Sequence, residues 1–159
     1  MRLFILIIAL LSTQLFAQDM ELPSQLPDAI TEEISIYSIA REWEVHPKGP
    51  YLELKKSELE KYERGFILSK GKVGPSSNII KILNTGFGEP DGIAACFESR
   101  HSIEYKSIYG LVKVDICFEC RKTYVNINGW TRFFYHTNTV LNEVNEVFAS
   151  AGVRLPVSK

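Results

Sequence analysis

The sequence predicts an α+β domain, in which helices pack on one face of an antiparallel meander sheet. Segments that alternate apolar and polar residues, as strands do, recur along the chain. The dipeptide Asn128-Gly129 separates two such segments and is a strong hairpin signal, because both residues tolerate positive φ. The last such segment is followed by apolar residues at helical spacing. These three observations together predict a sheet that is covered by helices.

The first half of the chain contains two predicted strands and one short helix. Residues 33–39 alternate and predict a strand, and residues 66–73 predict a second strand. Between them, residues 57–62 predict a helical turn that Ser57 caps, with Glu60 three residues further on. The short helix is predicted from apolar residues at helical spacing and a terminating glycine: Ile79, Ile80, Leu83 and Gly86.

The second half predicts a meander of about five strands and a closing helix. The expected antiparallel strands are residues 93–99, 101–106, 111–117, 124–127 and 130–135. The closing helix follows Asn138, with its apolar residues on one face and Gly152 at its end: Val140, Leu141, Val144, Val147, Phe148 and Ala151. The amphipathic face of this helix predicts that it packs on the sheet.

Residues 1–17 predict a secretory signal peptide. A positive start at Arg2 precedes an apolar run over residues 3–11, and Ala17 offers a small residue at the cleavage point. This run is much shorter than the roughly 20 residues that a helix needs to cross a bilayer. We expect a flexible leader over residues 18–30 and a single α+β domain over residues 31–159. The protein is therefore expected to be exported, to the periplasm or outside the cell, without an integral membrane span after cleavage.

The charge composition excludes one class of partner. The 159 residues carry 18 lysines and arginines against 19 aspartates and glutamates, for a formal net charge of −1. A nucleic-acid binder needs a basic face, so no nucleic acid is expected as a partner. A glycine-rich phosphate loop is also missing from the sequence. The expected partner is an envelope protein or a small ligand, whose identity the sequence leaves unknown.

Three cysteines and a histidine form the unusual chemical cluster of this sequence. Cys96, His101, Cys117 and Cys120 have the spacing C-x4-H-x15-C-x2-C. Three thiolates and one imidazole make a complete tetrahedral zinc set, so these four residues are a candidate metal site with zinc as the candidate cofactor. A disulfide is the second alternative, between Cys117 and Cys120 or between one of them and Cys96, because an odd number of cysteines leaves one thiol unpaired. The third alternative is a set of small buried thiols without chemistry.

A strand register brings these residues together. Pairing Glu104 with Lys113 aligns opposite charges and keeps apolar residues on one face of both strands. Continuing that ladder places His101 opposite Ile116 and gathers the three cysteines at one end of the hairpin. Arg100 lies at the same end, where its charge would favour a thiolate. Cys117 and Cys120 can meet only if the chain turns between them, because their odd spacing puts them on opposite faces of a straight strand.

Two short motifs carry a resemblance to a known family. Residues 96–101 read C-F-E-S-R-H, and residues 115–120 read D-I-C-F-E-C. These motifs resemble an uncharacterised family of exported bacterial proteins that carry C-F-x-P-R-H followed by I-C-F-x-C, although Ser99 stands where that family has proline. The resemblance implies one shared site and no particular reaction; its residues are Cys96, Arg100, His101, Cys117 and Cys120.

Two functions follow from these observations. The first is an exported binding or accessory domain of unknown ligand, in which the Cys/His cluster stabilises the sheet through a disulfide or a bound zinc ion. The alternative is a thiol–disulfide oxidoreductase that uses the Cys117-x-x-Cys120 pair. In that case Cys117 is the attacking residue, because its side chain lies on the more polar face of its strand. The sequence contains no recognisable catalytic set, so it leaves open whether the protein is an enzyme.

Overall fold

A computed structural model describes residues 24–45, 56–92 and 94–155, and the predicted signal peptide lies outside them. These residues form one seven-stranded antiparallel sheet and two helices, which confirms the α+β fold class. The strands are β1 (Ile34–Ala40), β2 (Glu60–Tyr62), β3 (Gly65–Val73), β4 (His101–Ser107), β5 (Gly110–Cys117), β6 (Lys122–Ile127) and β7 (Trp130–Tyr135). The helices are α1 (Ile79–Gly86) and α2 (Leu141–Ser150), and short 3-10 turns lie at Glu42–Val45, Lys56–Glu58 and Asn138–Val140.

Strand β1 lies inside the sheet, third from one edge. The strand order is β2-β3-β1-β4-β5-β6-β7, so β4 to β7 form a meander and β1 pairs with both β3 and β4. The expected strand at residues 93–99 is therefore wrong over its described part, residues 94–99, because β1 holds the place beside β4 that this segment would need. Residues 94–99 instead cross the end of the sheet as a loop. That loop joins the sheet at Arg100, whose N–H donates to the carbonyl of Ile116 at 3.0 Å.

The helical turn expected over residues 57–62 is also only partly right. A 3-10 turn occupies Lys56–Glu58, but Glu60–Tyr62 forms strand β2. Tyr62 pairs with Gly65 and Glu60 with Ile67, so a tight hairpin to β3 determines the conformation here. A backbone that finds a complete ladder of hydrogen bonds on a neighbouring strand overrides a weak local signal for a helical turn.

Both helices pack on the same face of the sheet, which we call the helix face. Strand alternation places one set of apolar side chains there, and the helices cover it with their own apolar residues. The largest fully buried members of this core are Ile34, Ile36, Ile79, Ile80, Leu83, Ile103, Tyr105, Ile116 and Phe148. The opposite face, which we call the open face, is not covered by α1 or α2, and a smaller apolar cluster lies apart from the main core: Ala40, Val45, Phe66 and Leu68. None of the helices in the described ranges is long and apolar enough to span a bilayer.

The described part of the expected flexible leader lies against this core. Leu26 is buried, and its N–H donates to the Asn84 side chain of α1 at 2.7 Å. The Asn84 amide donates back to the Leu26 carbonyl at 2.9 Å, and the Tyr105 hydroxyl donates to the carbonyl of Pro27. Residues 24–30 are therefore anchored, because one apolar side chain and its backbone polar groups find partners in the domain.

The predicted hairpin geometry is confirmed at both the register and the turn. Glu104 lies opposite Lys113, as the charge pairing predicted. Asn128 and Gly129 adopt φ values of 48° and 91° at the β6–β7 turn. The Asn128 side chain also bonds the neighbouring β4–β5 turn, where its amide donates to the Tyr109 carbonyl at 2.6 Å. The two hairpin turns therefore support each other.

Gly110 in the β4–β5 turn has no room for a side chain. Its φ is +104°, and a Cβ would lie 2.2 Å from Asn128 Nδ2. We expect Gly110→Ala to lower the free energy of unfolding by about 1–3 kcal/mol, because strain and a clash are added together. Urea denaturation measures this loss. Gly88→Ala is the matched control, since a Cβ there meets nothing within 4 Å; equal losses in the two variants would contradict the explanation.

Candidate functional site

A disulfide bond joins Cys117, the last residue of β5, to Cys120. The chain turns directly after Cys117, and this turn allows the two sulfurs to meet. Within the turn, the Arg121 N–H donates to the Phe118 carbonyl at 3.1 Å. Arg121 adopts a positive φ of 56°, and Lys122 then pairs with Cys117 at the start of β6. Both cysteines are almost completely buried, with 0% and 1% of their surface exposed. The disulfide therefore lies inside the β5–β6 turn.

A cross-link over so short a loop constrains the unfolded chain less than one over a long loop does. The two cysteines are three residues apart, and the chain-entropy relation gives about 2 kcal/mol for so short a loop, against about 4.7 kcal/mol for a loop of 100 residues. The flanking strands and the backbone hydrogen bond within the turn already close it without the sulfur bond. A disulfide at this position is thus poorly placed to stabilise the fold.

Cys96 is a free, exposed cysteine beside this disulfide. Its Sγ lies 3.9 Å from the Sγ of Cys120. The loop of residues 94–99 brings it there, because Arg100 enters the sheet beside the end of β5. The structure thus gathers three sulfurs at one end of the sheet, two of them in a bond and one as a thiol.

One of the two disulfide sulfurs accepts a backbone hydrogen bond. The N–H of Cys120 donates to Cys117 Sγ, with 3.1 Å between nitrogen and sulfur. A hydrogen bond to the charged form of an acid stabilises that form, so an opened disulfide would leave its negative charge preferentially on Cys117. The pair is therefore chemically asymmetric.

Two charged contacts hold the Cys96 loop in place. The Arg41 guanidinium lies between Glu98 of this loop, at 2.6 Å, and Glu119 of the β5–β6 turn. It therefore links the segment that carries Cys96 to the segment that carries Cys120. Glu98 and Glu119 are half-exposed, so solvent weakens these contacts, but Arg41 itself is largely covered.

A buried ion pair anchors the base of the same loop. Arg100 Nη1 lies 2.7 Å from Glu44 Oε1, and both side chains are more than nine-tenths buried. The other carboxylate oxygen of Glu44 accepts a hydrogen bond from the Arg41 backbone N–H at 2.9 Å. Arg100 is thus committed to Glu44 in the turn after β1. This contact lies at the base of the loop, and the predicted effect of Arg100 on a thiolate stays a prediction.

His101 belongs to the opposite side of the sheet from the sulfur cluster. Its Nε2 lies 2.8 Å from the Asn145 side-chain oxygen of α2, and its ring packs edge-on against Phe118 and Phe148. Burial lowers the pKa of this imidazole to about 4, which the Asn145 hydrogen bond only partly offsets. The ring is therefore a neutral core residue at physiological pH.

The predicted four-donor zinc site gains no support from this arrangement. Cys117 and Cys120 are bonded to each other, and His101 is directed at Asn145. Across residues 24–45, 56–92 and 94–155, no group of three or more His, Cys, Asp or Glu side chains is placed to hold a metal ion. Of the predicted site residues, the structure brings together the three cysteines and leaves the histidine apart.

The residues that hold the site do not stand out in the sequence. Arg41 and Glu44 follow β1 and lie more than 50 positions from the loop they bind. A buried network on the open face is equally hidden in the sequence; in it, Asp115 accepts hydrogen bonds from Tyr62, Ser102 and Arg64. Burial and the nearby Asp115 charge raise the pKa of Tyr62 well above its usual range. The one signal in the sequence for this network is the charged residue Asp115 between the apolar residues Val114 and Ile116.

Comparisons with known proteins give no family for this chain. Family models, curated proteins and solved structures all gave no match.

Breaking the buried Arg100–Glu44 pair should destabilise the fold strongly. We expect Glu44→Ala to lower the free energy of unfolding by about 3–5 kcal/mol, because it leaves the Arg100 charge buried without its partner. Urea denaturation at pH 7 measures the loss. Glu33→Ala, which breaks the exposed pair with Lys72, is the control and should leave the unfolding curve unchanged. Similar curves for the two variants would refute the proposed anchoring.

The burial of His101 should make the fold sensitive to mild acid. The unfolded chain protonates this residue near pH 6.5, whereas the folded pKa is about 4. The contribution of neutral His101 to the free energy of unfolding is therefore fully present above pH 6.5. It falls by about 1.4 kcal/mol per pH unit as the pH drops toward 4. Urea denaturation at several pH values measures this slope. His101→Gln should flatten it, and an equally steep slope in that variant would assign the effect to other groups, such as His136, whose pKa burial also lowers.

Proposed function

We propose that this protein is an exported thiol–disulfide exchange protein, in which Cys117 and Cys120 are the redox-active pair. The observation that carries the proposal is the location of this disulfide, across a turn that backbone hydrogen bonds already close. A bond over so short a loop constrains the unfolded chain weakly, which suits a bond that is made and broken. The N–H of Cys120 on Cys117 Sγ adds a preformed site for the thiolate that opening produces.

The reaction is a two-electron exchange with a dithiol. A thiolate of the substrate attacks a disulfide of the protein, and a mixed disulfide forms. The second thiol of the substrate then attacks the mixed disulfide and releases the protein. The substrate leaves as a disulfide, and Cys117 and Cys120 remain as two thiols. With an oxidised substrate the same steps run in reverse.

Export is part of the proposal. Disulfides persist in the periplasm and outside the cell, whereas cytosolic reductants open them. The signal-peptide pattern of residues 1–17 supports the same location. The C-F-E-S-R-H and I-C-F-E-C motifs further support membership in the exported family that they resemble. An accessory domain with a purely structural disulfide is the competing function.

The reduction potential of the pair distinguishes these two functions. We expect the Cys117–Cys120 disulfide to equilibrate with dithiol buffers in the oxidoreductase range, between about −270 and −120 mV. Intact mass after alkylation, across a series of redox buffers, measures the fraction that is reduced. A potential below about −300 mV is typical of a structural bond and would contradict exchange.

Stability provides a control for this measurement. The double variant Cys117→Ser/Cys120→Ser should lose at most about 2 kcal/mol in free energy of unfolding, because the closed loop is so short. Urea denaturation of the oxidised wild type and the double variant measures this difference. A much larger loss would favour the structural role.

A further inference from the structure

The proposed exchange faces a steric obstacle, because the redox-active pair is buried. Cys117 is 0% exposed and Cys120 only 1%, so a substrate thiol in solvent has no direct approach to either sulfur. The remaining cysteine of the chain, Cys96, is exposed and its sulfur contacts that of Cys120. One cysteine thus faces solvent on one side and the buried disulfide on the other.

We propose that Cys96 relays thiol–disulfide exchange between dithiol substrates in solvent and the buried Cys117–Cys120 bond. This inference rests on the proposed function and adds a third catalytic sulfur to it. The 3.9 Å between the Cys96 and Cys120 sulfurs is the distance over which the relay acts. Bond formation requires the two sulfurs to approach by about 2 Å, to the roughly 2.05 Å of a disulfide.

The internal step conserves electrons. The Cys96 thiolate attacks Cys120 Sγ, so that a Cys96–Cys120 bond forms and the Cys117–Cys120 bond breaks. Cys117 leaves as a thiolate, which the N–H of Cys120 already contacts at 3.1 Å. One disulfide and one thiol are present before and after this step, and the proton that Cys96 loses is regained at Cys117.

The external step takes place at Cys96. A substrate thiolate attacks Cys96 Sγ, which forms a mixed disulfide and releases Cys120 as a thiolate. The second substrate thiol then displaces Cys96, and the substrate leaves as a disulfide. The dithiol substrate has lost two electrons and two protons, and the protein now carries three thiols.

The loop of residues 94–99 is built to hold Cys96 at this position. Glu98 binds Arg41, which also binds Glu119 of the β5–β6 turn. The ring of Phe97, the residue between Cys96 and Glu98, packs edge-on against Phe133 with 5.7 Å between centroids, and the Arg64 guanidinium lies over it at 4.7 Å. The residue following Cys96 is thus fixed on the open face. The sulfur–sulfur contact is therefore a feature of a packed loop.

The first experiment traps the internal step. We expect Cys117→Ser, exposed to oxidised glutathione, to form a Cys96–Cys120 disulfide that peptide mapping by mass spectrometry identifies. Cys120→Ser is the matched control, because it keeps Cys96 and removes the sulfur that Cys96 contacts. It should retain two thiols or carry glutathione on Cys96. A folded Cys117→Ser variant that forms no internal disulfide would overturn the relay.

The second experiment uses the wild-type pair and separates the relay from the proposed function. We expect Cys96→Ser to keep the reduction potential of Cys117–Cys120 while its rate of reduction by dithiothreitol falls at least tenfold. Ala95→Ser, on the exposed neighbouring residue, is the control and should react at the wild-type rate. An unchanged rate in Cys96→Ser overturns the relay alone. A structural-range potential in the wild type overturns the proposed function itself.

Discussion

The pairing of β4 with β5 is the constraint on which the candidate site depends. With Glu104 opposite Lys113, the ladder ends with His101 opposite Ile116, and Arg100 donates to the Ile116 carbonyl. This end of the ladder is where the chain leaves toward Cys96 on one strand and Cys120 on the other. A slip of one residue would reverse the faces of a whole strand and bury the wrong side chains. The meeting of the sulfurs is thus a consequence of sheet register.

Charged side chains, together with the strand register, hold the loop that carries Cys96. The buried Arg100–Glu44 pair connects the loop to the turn after β1, and Arg41 connects the loop to the β5–β6 turn. Removing two charges from water is costly, so a buried pair is weak evidence of stabilisation by itself. Its effect here is geometric, because each contact restrains the short segment that holds Cys96 against Cys120.

The same sheet separates two kinds of chemistry that share one stretch of sequence. Cys117 lies in the disulfide of the β5–β6 turn, whereas His101 projects into the helix face and bonds α2. Residues that are neighbours in a motif can therefore serve different layers of a domain. Burial keeps His101 neutral and ties it to the stability of the core, while the sulfurs remain next to an exposed thiol.

Local patterns in the sequence determined the α+β class, strands β4 to β7, both helices and the β4–β5 register, because alternation, helical spacing and turn residues act over a few positions. Only the tertiary structure decided that β1 inserts beside β4, that Cys117 bonds Cys120, and that His101 faces Asn145. Each of these depends on a partner far away in the chain or on the direction of a turn. Local sequence patterns carry no information about which of several distant surfaces a residue meets.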